Sequence, residues 1–173
     1  EKTRAADQVQ SSLYSKYNVK RGLRDINGKG VLAGLTNVAE VRAKKIVDGE
    51  EVPDIGRLFY RGYEIHDLID GYKAEDRFGF EEIAYLLLFG YLPDVKQLKE
   101  FSDKLIFYRS LPKNFVRDVI MKAPGEDMMN VLMRSVLTLS PYDDNANDVS
   151  LPNVLRQSMQ LISLIPMISI YGY

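Results

Sequence analysis

A mainly α fold is what this sequence predicts, and three observations carry the prediction. Residues 81–93, EEIAYLLLFGYLP, are apolar on nearly every side, as a helix surrounded by protein requires. From Gly62 onward apolar residues recur at helical spacing, broken by Gly and Pro at intervals suited to helix ends. β-branched residues concentrate only around Val31, Thr36, Val38, Val41, Ile46 and Val47, which marks a minor β region. The expected sum is six or more helices with one small hairpin. With 173 residues, 46% of them hydrophobic, the chain suits one globular domain, or a domain plus an accessory piece.

Taken in order, residues 1–20 read as a polar leading helix with Ala5, Ala6, Val9, Leu13 and Tyr14 at roughly helical spacing. Residues 21–62 form the small β region. There Asp48-Gly49 is a hairpin dipeptide, with residues 41–47 before it and 57–61 after it as partners, and residues 50–56 read as loop. Residues 63–173 are expected to be a helical core. Ile65, Leu68 and Ile69 predict a short helix ended by Gly71. In the buried helix that follows, Gly90 suits a left-handed C-terminal stop and Pro93 the first turn of the next helix. Val95, Leu98, Phe101, Leu105 and Ile106 share one stripe of that next helix, opposite Lys and Glu. Ser110 and Pro112 predict a helix start ahead of Phe115, Val116, Val119 and Ile120, and Pro124-Gly125 breaks it. Residues 127–139 and 153–173 predict two further helices with broad apolar surfaces, joined by a polar loop.

Composition excludes several classes of function. Lys and Arg total 23 against 24 Asp and Glu, so the net charge of -1 gives no field that attracts nucleic acid or an anionic membrane. The absence of Cys removes disulfides, thiolate catalysis and Cys-ligated metals. The long apolar run at residues 159–173 is shorter than the ~20 residues a membrane span needs and is interrupted by Ser163, Pro166, Ser169 and Gly172. A buried helix is the better reading, and neither a nucleic acid nor a membrane is expected as a partner.

Candidate chemistry is sparse. His66 is the only histidine, so neither a His-containing metal cluster nor a two-histidine acid–base device is available. Its place in HDLID favours a local hydrogen bond to Asp67 or Asp70 over a role as general base. Gly28, Gly30 and Ala33 match the spacing of a dinucleotide-binding turn, but polar loop precedes them and β-like sequence follows, so turn glycines explain them better. Asp143, Asn145 and Asn147 alternate like the opening of a calcium loop. Asp148 in place of the required Gly and Val154 in place of the bidentate Glu reject that reading. Arg24, held near glycines, offers a guanidinium to a phosphate or stands as a surface charge. Arg61, within an apolar run, reads as a half-buried structural arginine paired with a carboxylate.

Six stretches together resemble the citrate synthase family, the bacterial type in particular, and occur in the family's order. They are residues 21–43 (RGLRDINGKGVLAGLTNVAEVRA), 58–69 (LFYRGYEIHDLI), 81–93, 111–124 (LPKNFVRDVIMKAP), 127–140 (DMMNVLMRSVLTLS) and 153–173 (NVLRQSMQLISLIPMISIYGY). The resemblance implies a mostly helical homodimer with a large and a small domain, which condenses acetyl-CoA with oxaloacetate to give citrate and CoA in the tricarboxylic acid cycle. It implies no cofactor and no metal. It also implies a catalytic Asp and two His that this chain, with His66 alone, does not match. The chain is therefore expected to be the N-terminal part of the large domain, without the small catalytic domain, inactive alone and cytoplasmic in a bacterium. Arg24 aligns with a family arginine that contacts the CoA phosphates, and the helices of residues 127–139 and 153–173 with those of the dimer interface. A 2-methylcitrate synthase segment and a non-catalytic helical dimerisation module are the alternative readings.

Overall fold

A computed structural model of the protein describes residues 8–20, 22–24, 28 and 30–173. It is mainly α with one three-stranded sheet. The chain divides into two compact units, Glu1–Leu98 and Lys99–Tyr173.

The described part of the first unit opens with a short exposed helix, α1 (Ser11–Lys16); of the leading helix expected over residues 1–20, residues 8–10 and 17–20 are not helical and residues 1–7 lie outside the described residues. The sheet then runs β1 (Ala39–Val47), β2 (Glu50–Tyr60) and β3 (Tyr63–Glu64), all antiparallel. Both of its turns take two residues at positive φ, Asp48 (52°) with Gly49 (84°) and Arg61 (50°) with Gly62 (89°). Such turns match the right-handed strand twist and set Val47 opposite Glu50 and Tyr60 opposite Tyr63. Residues 50–56, expected to be loop, are consequently strand. Pro53 fits there because β3 reaches only Phe59 and Tyr60, which leaves that flank of β2 without a ladder, and because the register shifts between Arg42 and Lys44 opposite it.

Helix α2 (Ile65–Ala74) runs through Gly71 instead of stopping there. A helical glycine costs only about 1 kcal/mol, and the stop falls to Asp76, at φ 48°. Helix α3 (Phe80–Phe89) buries Tyr85 and Leu86 and ends at Gly90, which is left-handed at φ 84° and donates its N–H to Leu86 O at 2.8 Å. Arg61 secures the same end: Nε and Nη2 donate to Leu87 O at 3.3 and 2.8 Å, and Nη1 to Asn37 Oδ1 at 3.0 Å. Arg61 thus serves a carbonyl at the negative pole of a helix. Helix α4 (Val95–Tyr108) begins after Pro93, not at it. Asp94 and Gln97 exchange hydrogen bonds, Gln97 N to Asp94 Oδ1 at 2.8 Å and Asp94 N to Gln97 Oε1 at 3.0 Å. This reciprocal cap fixes the start one residue after Asp94.

In the second unit a π-helical turn, Val116–Ile120, replaces the α-helix expected there, and Met121 N reaches Val116 O at 2.9 Å. The five-residue repeat brings Phe115 and Ile120 into the core together. Helix α5 (Met128–Leu139) is capped by Asp127, whose Oδ1 accepts from Asn130 N at 3.1 Å, and a 3₁₀ turn, Ser140–Tyr142, follows it. Helix α6 (Leu151–Gly172) places Pro152 in its first turn. Phe115, Ile120, Val131, Leu164 and Ile168 form the core cluster of this unit. At Gly172 the helices approach so closely that a Cβ would stand 2.7 Å from Val131 Cγ1. Among the described residues no helix is long and apolar enough to cross a membrane.

Candidate functional site

A candidate site lies in the second unit, where the loop before α6 is bound to the helix through buried and half-buried polar side chains. Asn153 is buried, and both its amide hydrogens serve the loop, to Asn145 O at 2.9 Å and Asp148 O at 2.7 Å. Its Oδ1 accepts from Arg156 Nε at 2.8 Å, which orients the guanidinium. Arg156 Nη2 then lies 2.8 and 2.7 Å from Asp143 Oδ1 and Oδ2, and Gln157 Nε2 donates to Asp143 Oδ2 at 3.0 Å. Hydrogen bonds from Arg156, then Gln157, hold the Asp143 carboxyl down at a pKa of about 2.

Beside this network a cleft of about 470 Å³ opens between the turn at Ser110, the C-terminal end of α5 and one face of α6. Leu111, Pro112, Val136, Leu139 and Leu161 give it an apolar side. Ser140, Tyr142, Asp143, Gln157 and Gln160 give it a polar one. Gln157 already donates to Asp143 Oδ2 and to Ala146 O at 3.3 Å, so its carbonyl oxygen is the group left to serve the cleft. Gln160 Oε1 accepts from Arg156 Nη1 at 3.3 Å, which leaves its amide nitrogen as a donor.

The sequence pointed to Asp143 only as a rejected calcium ligand; in the structure its carboxylate is bound by Arg156 and Gln157. Among the described residues no acidic or histidine cluster could hold a metal. The sequence signal for the network was the run Asn153, Arg156, Gln157 and Gln160, long polar residues on one face of an apolar helix.

The other singled-out residues belong to the first unit. His66, on α2, is exposed, and its Nδ1 lies 2.8 Å from Glu64 Oε1 instead of meeting Asp67 or Asp70. That hydrogen bond, with the attraction of Glu64, raises the pKa of the imidazole. Arg24 is exposed; its Nη1 donates to Gly28 O at 2.9 Å, and its backbone bridges Gly30. Lys20 N bonds to Leu32 O at 2.7 Å and Val31 N to Leu23 O at 3.3 Å, so the segment around these glycines folds back on itself. Residues 31–36 carry no helix, so the dinucleotide spacing lacks the helix N-terminus it would need.

Comparison with known proteins decides the family. A family model described as "Citrate synthase, C-terminal domain" matches residues 23–173. The chain belongs to the citrate synthase family. It is 37% identical over 131 residues to citrate synthase of Haloferax volcanii, covering 75% of this chain and 29% of that protein. It is 29% identical over 152 residues to 2-methylcitrate synthase 2 of Corynebacterium glutamicum, covering 87% of this chain and 34% of that one. Among solved structures, the citrate synthase of Thermoplasma acidophilum, in a ternary complex with carboxymethyl coenzyme A and oxaloacetate, superposes with a TM-score of 0.65 at 20% identity. That match covers 90% of this chain and 35% of the other, and at this identity the likeness is one of fold. The chain spans about a third of the length of the curated relatives that cover most of it.

Proposed function

We propose that these residues are the N-terminal part of the large domain of a citrate synthase, which condenses acetyl-CoA with oxaloacetate to give citrate and CoA. The family match across residues 23–173 supports the citrate synthase part of this reading. Drawing a proton from the acetyl methyl while polarising the oxaloacetate ketone calls for an acid–base set in one pocket. His66 is the one histidine of the sequence, and it is exposed beside Glu64. The reactive His and Asp groups therefore belong to polypeptide outside these residues, and the chain serves as scaffold. Arg24 is the residue proposed to meet the CoA phosphates, since a guanidinium at a glycine-rich turn matches phosphate geometry.

Dimerisation through residues 127–139 and 153–173 is part of the same proposal. Met129, Met133 and Leu137 support it, because they recur every four residues on α5 and are 66, 61 and 74% exposed. So is a cytoplasmic location in a bacterium, of which relatives from Corynebacterium glutamicum support the bacterial source alone.

The test is thiol release from acetyl-CoA in the presence of oxaloacetate. Residues 1–173 alone should give no turnover, and the complete enzyme should; steady turnover by the 173-residue chain would overturn the scaffold reading. In the complete enzyme Arg24→Ala should raise KM for acetyl-CoA and leave that for oxaloacetate unchanged. A second reading, 2-methylcitrate synthase, is favoured by the two relatives of that name at 29 and 28% identity. A higher kcat/KM for propionyl-CoA than for acetyl-CoA would establish it.

A further inference from the structure

We propose that the cleft of the second unit is a binding site for a small uncharged molecule with an apolar body and an amide-type end. Its volume, about 470 Å³, falls within the range of sites that enclose small organic ligands. The apolar body would lie on Leu111, Pro112, Val136, Leu139 and Leu161, where it displaces water from surface that gains nothing from hydration. The polar end is set by α6. Gln157 and Gln160 are three residues apart and so lie on one helical face, the first with its carbonyl oxygen and the second with its amide nitrogen uncommitted within the protein. An acceptor beside a donor is the complement of an amide, whose N–H donates to Gln157 Oε1 while its C=O accepts from Gln160 Nε2.

Charge decides against an ionic ligand. The one ionised group lining the cleft is Asp143, and the nearby Arg156 is already committed to it, to Asn153 and to Gln160. A carboxylate entering the cleft would give up its hydration and meet no free cation. The same ion pair gives the site a fixed shape, because it holds the loop wall formed by Asp143 and Ala146 against the helix wall. The proposal does not depend on the catalytic reading, and its failure would leave that reading intact; it requires that dimer contacts made by α5 through Met129, Met133 and Leu137 leave Val136, Leu139, Gln157, Gln160 and Leu161 open to the ligand.

The test uses benzamide, an apolar ring with an amide, against benzoate, which keeps the ring and carries charge. Methyl-labelled protein titrated with benzamide should show saturable shifts at Leu111, Leu139 and Leu161 and at the side-chain amides of Gln157 and Gln160. Benzoate should show none. Gln160→Leu should weaken benzamide about fivefold, the change one neutral hydrogen bond supports, and Leu161→Phe should abolish the shifts while the far-ultraviolet circular dichroism is retained. Absence of saturable shifts up to the solubility of benzamide, equal affinity for benzoate, or unaltered affinity in Gln160→Leu would each overturn the proposal.

Discussion

At the scale of single residues, Asp143 is the group whose ionisation matters most. Its pKa in the folded protein is lowered to about 2, against ~3.9 in an unfolded chain. Its stabilising contribution is therefore complete above the unfolded value and is lost as pH falls through about 4 toward the folded value. Asp143→Asn should lower the melting temperature at pH 7 and flatten its dependence on acid below pH ~4, as followed by circular dichroism. Identical acid unfolding curves for the two proteins would contradict this. The partnership was not legible in the sequence, because Arg156 and Gln157 lie 13 and 14 residues away and nothing local marks them as partners. His66 was legible as a surface histidine, yet its partner Glu64 lies just outside the helix from which Asp67 and Asp70 were expected to reach it. Glu64→Gln should bring the His66 pKa down toward its ordinary value, measured by titrating the imidazole carbon-bound protons.

Elements were legible where their ends are set by neighbours in sequence. Gly90 stops α3 as expected because a left-handed residue is a local requirement. Gly90→Ala should cost about 1–2 kcal/mol in denaturant unfolding, the cost of that conformation for a residue with a Cβ. Leu86, fully buried on the same helix, should cost about 2–5 kcal/mol as Leu86→Ala. Elements were misread where distant contacts or ladder pairing overruled local signals. Residues 50–56 lack regular apolar alternation and contain Pro53, yet the two-residue turn at Asp48 and Gly49 commits them to β1. The π turn at Val116–Ile120 left no mark in the sequence, since its spacing serves a core assembled from α5 and α6. Gly172 belongs to the same class. The sequence offers it as a breaker of an apolar run, whereas the structure seats it against Val131, and Gly172→Ala should cost about 1–3 kcal/mol by overpacking that contact.

For the molecule as a whole, the mainly α architecture and the family were both readable, the first from helical periodicity and the second from six ordered stretches. The cleft was not, because its walls come from three separated segments. The exposed row of Met129, Met133 and Leu137 carries the assembly prediction. If the proposed dimer forms, Met133→Lys should shift sedimentation equilibrium toward monomer, and an unchanged association constant would remove α5 from the proposed interface. The central claim of the proposed function is that the imidazole chemistry of a citrate synthase containing these residues would reside outside them, and replacing the one histidine they hold tests it most directly. His66→Ala in the complete enzyme should leave kcat for CoA release and its pH profile unchanged; a fall of about a hundredfold or more, the scale of a lost general acid or base, would contradict the account.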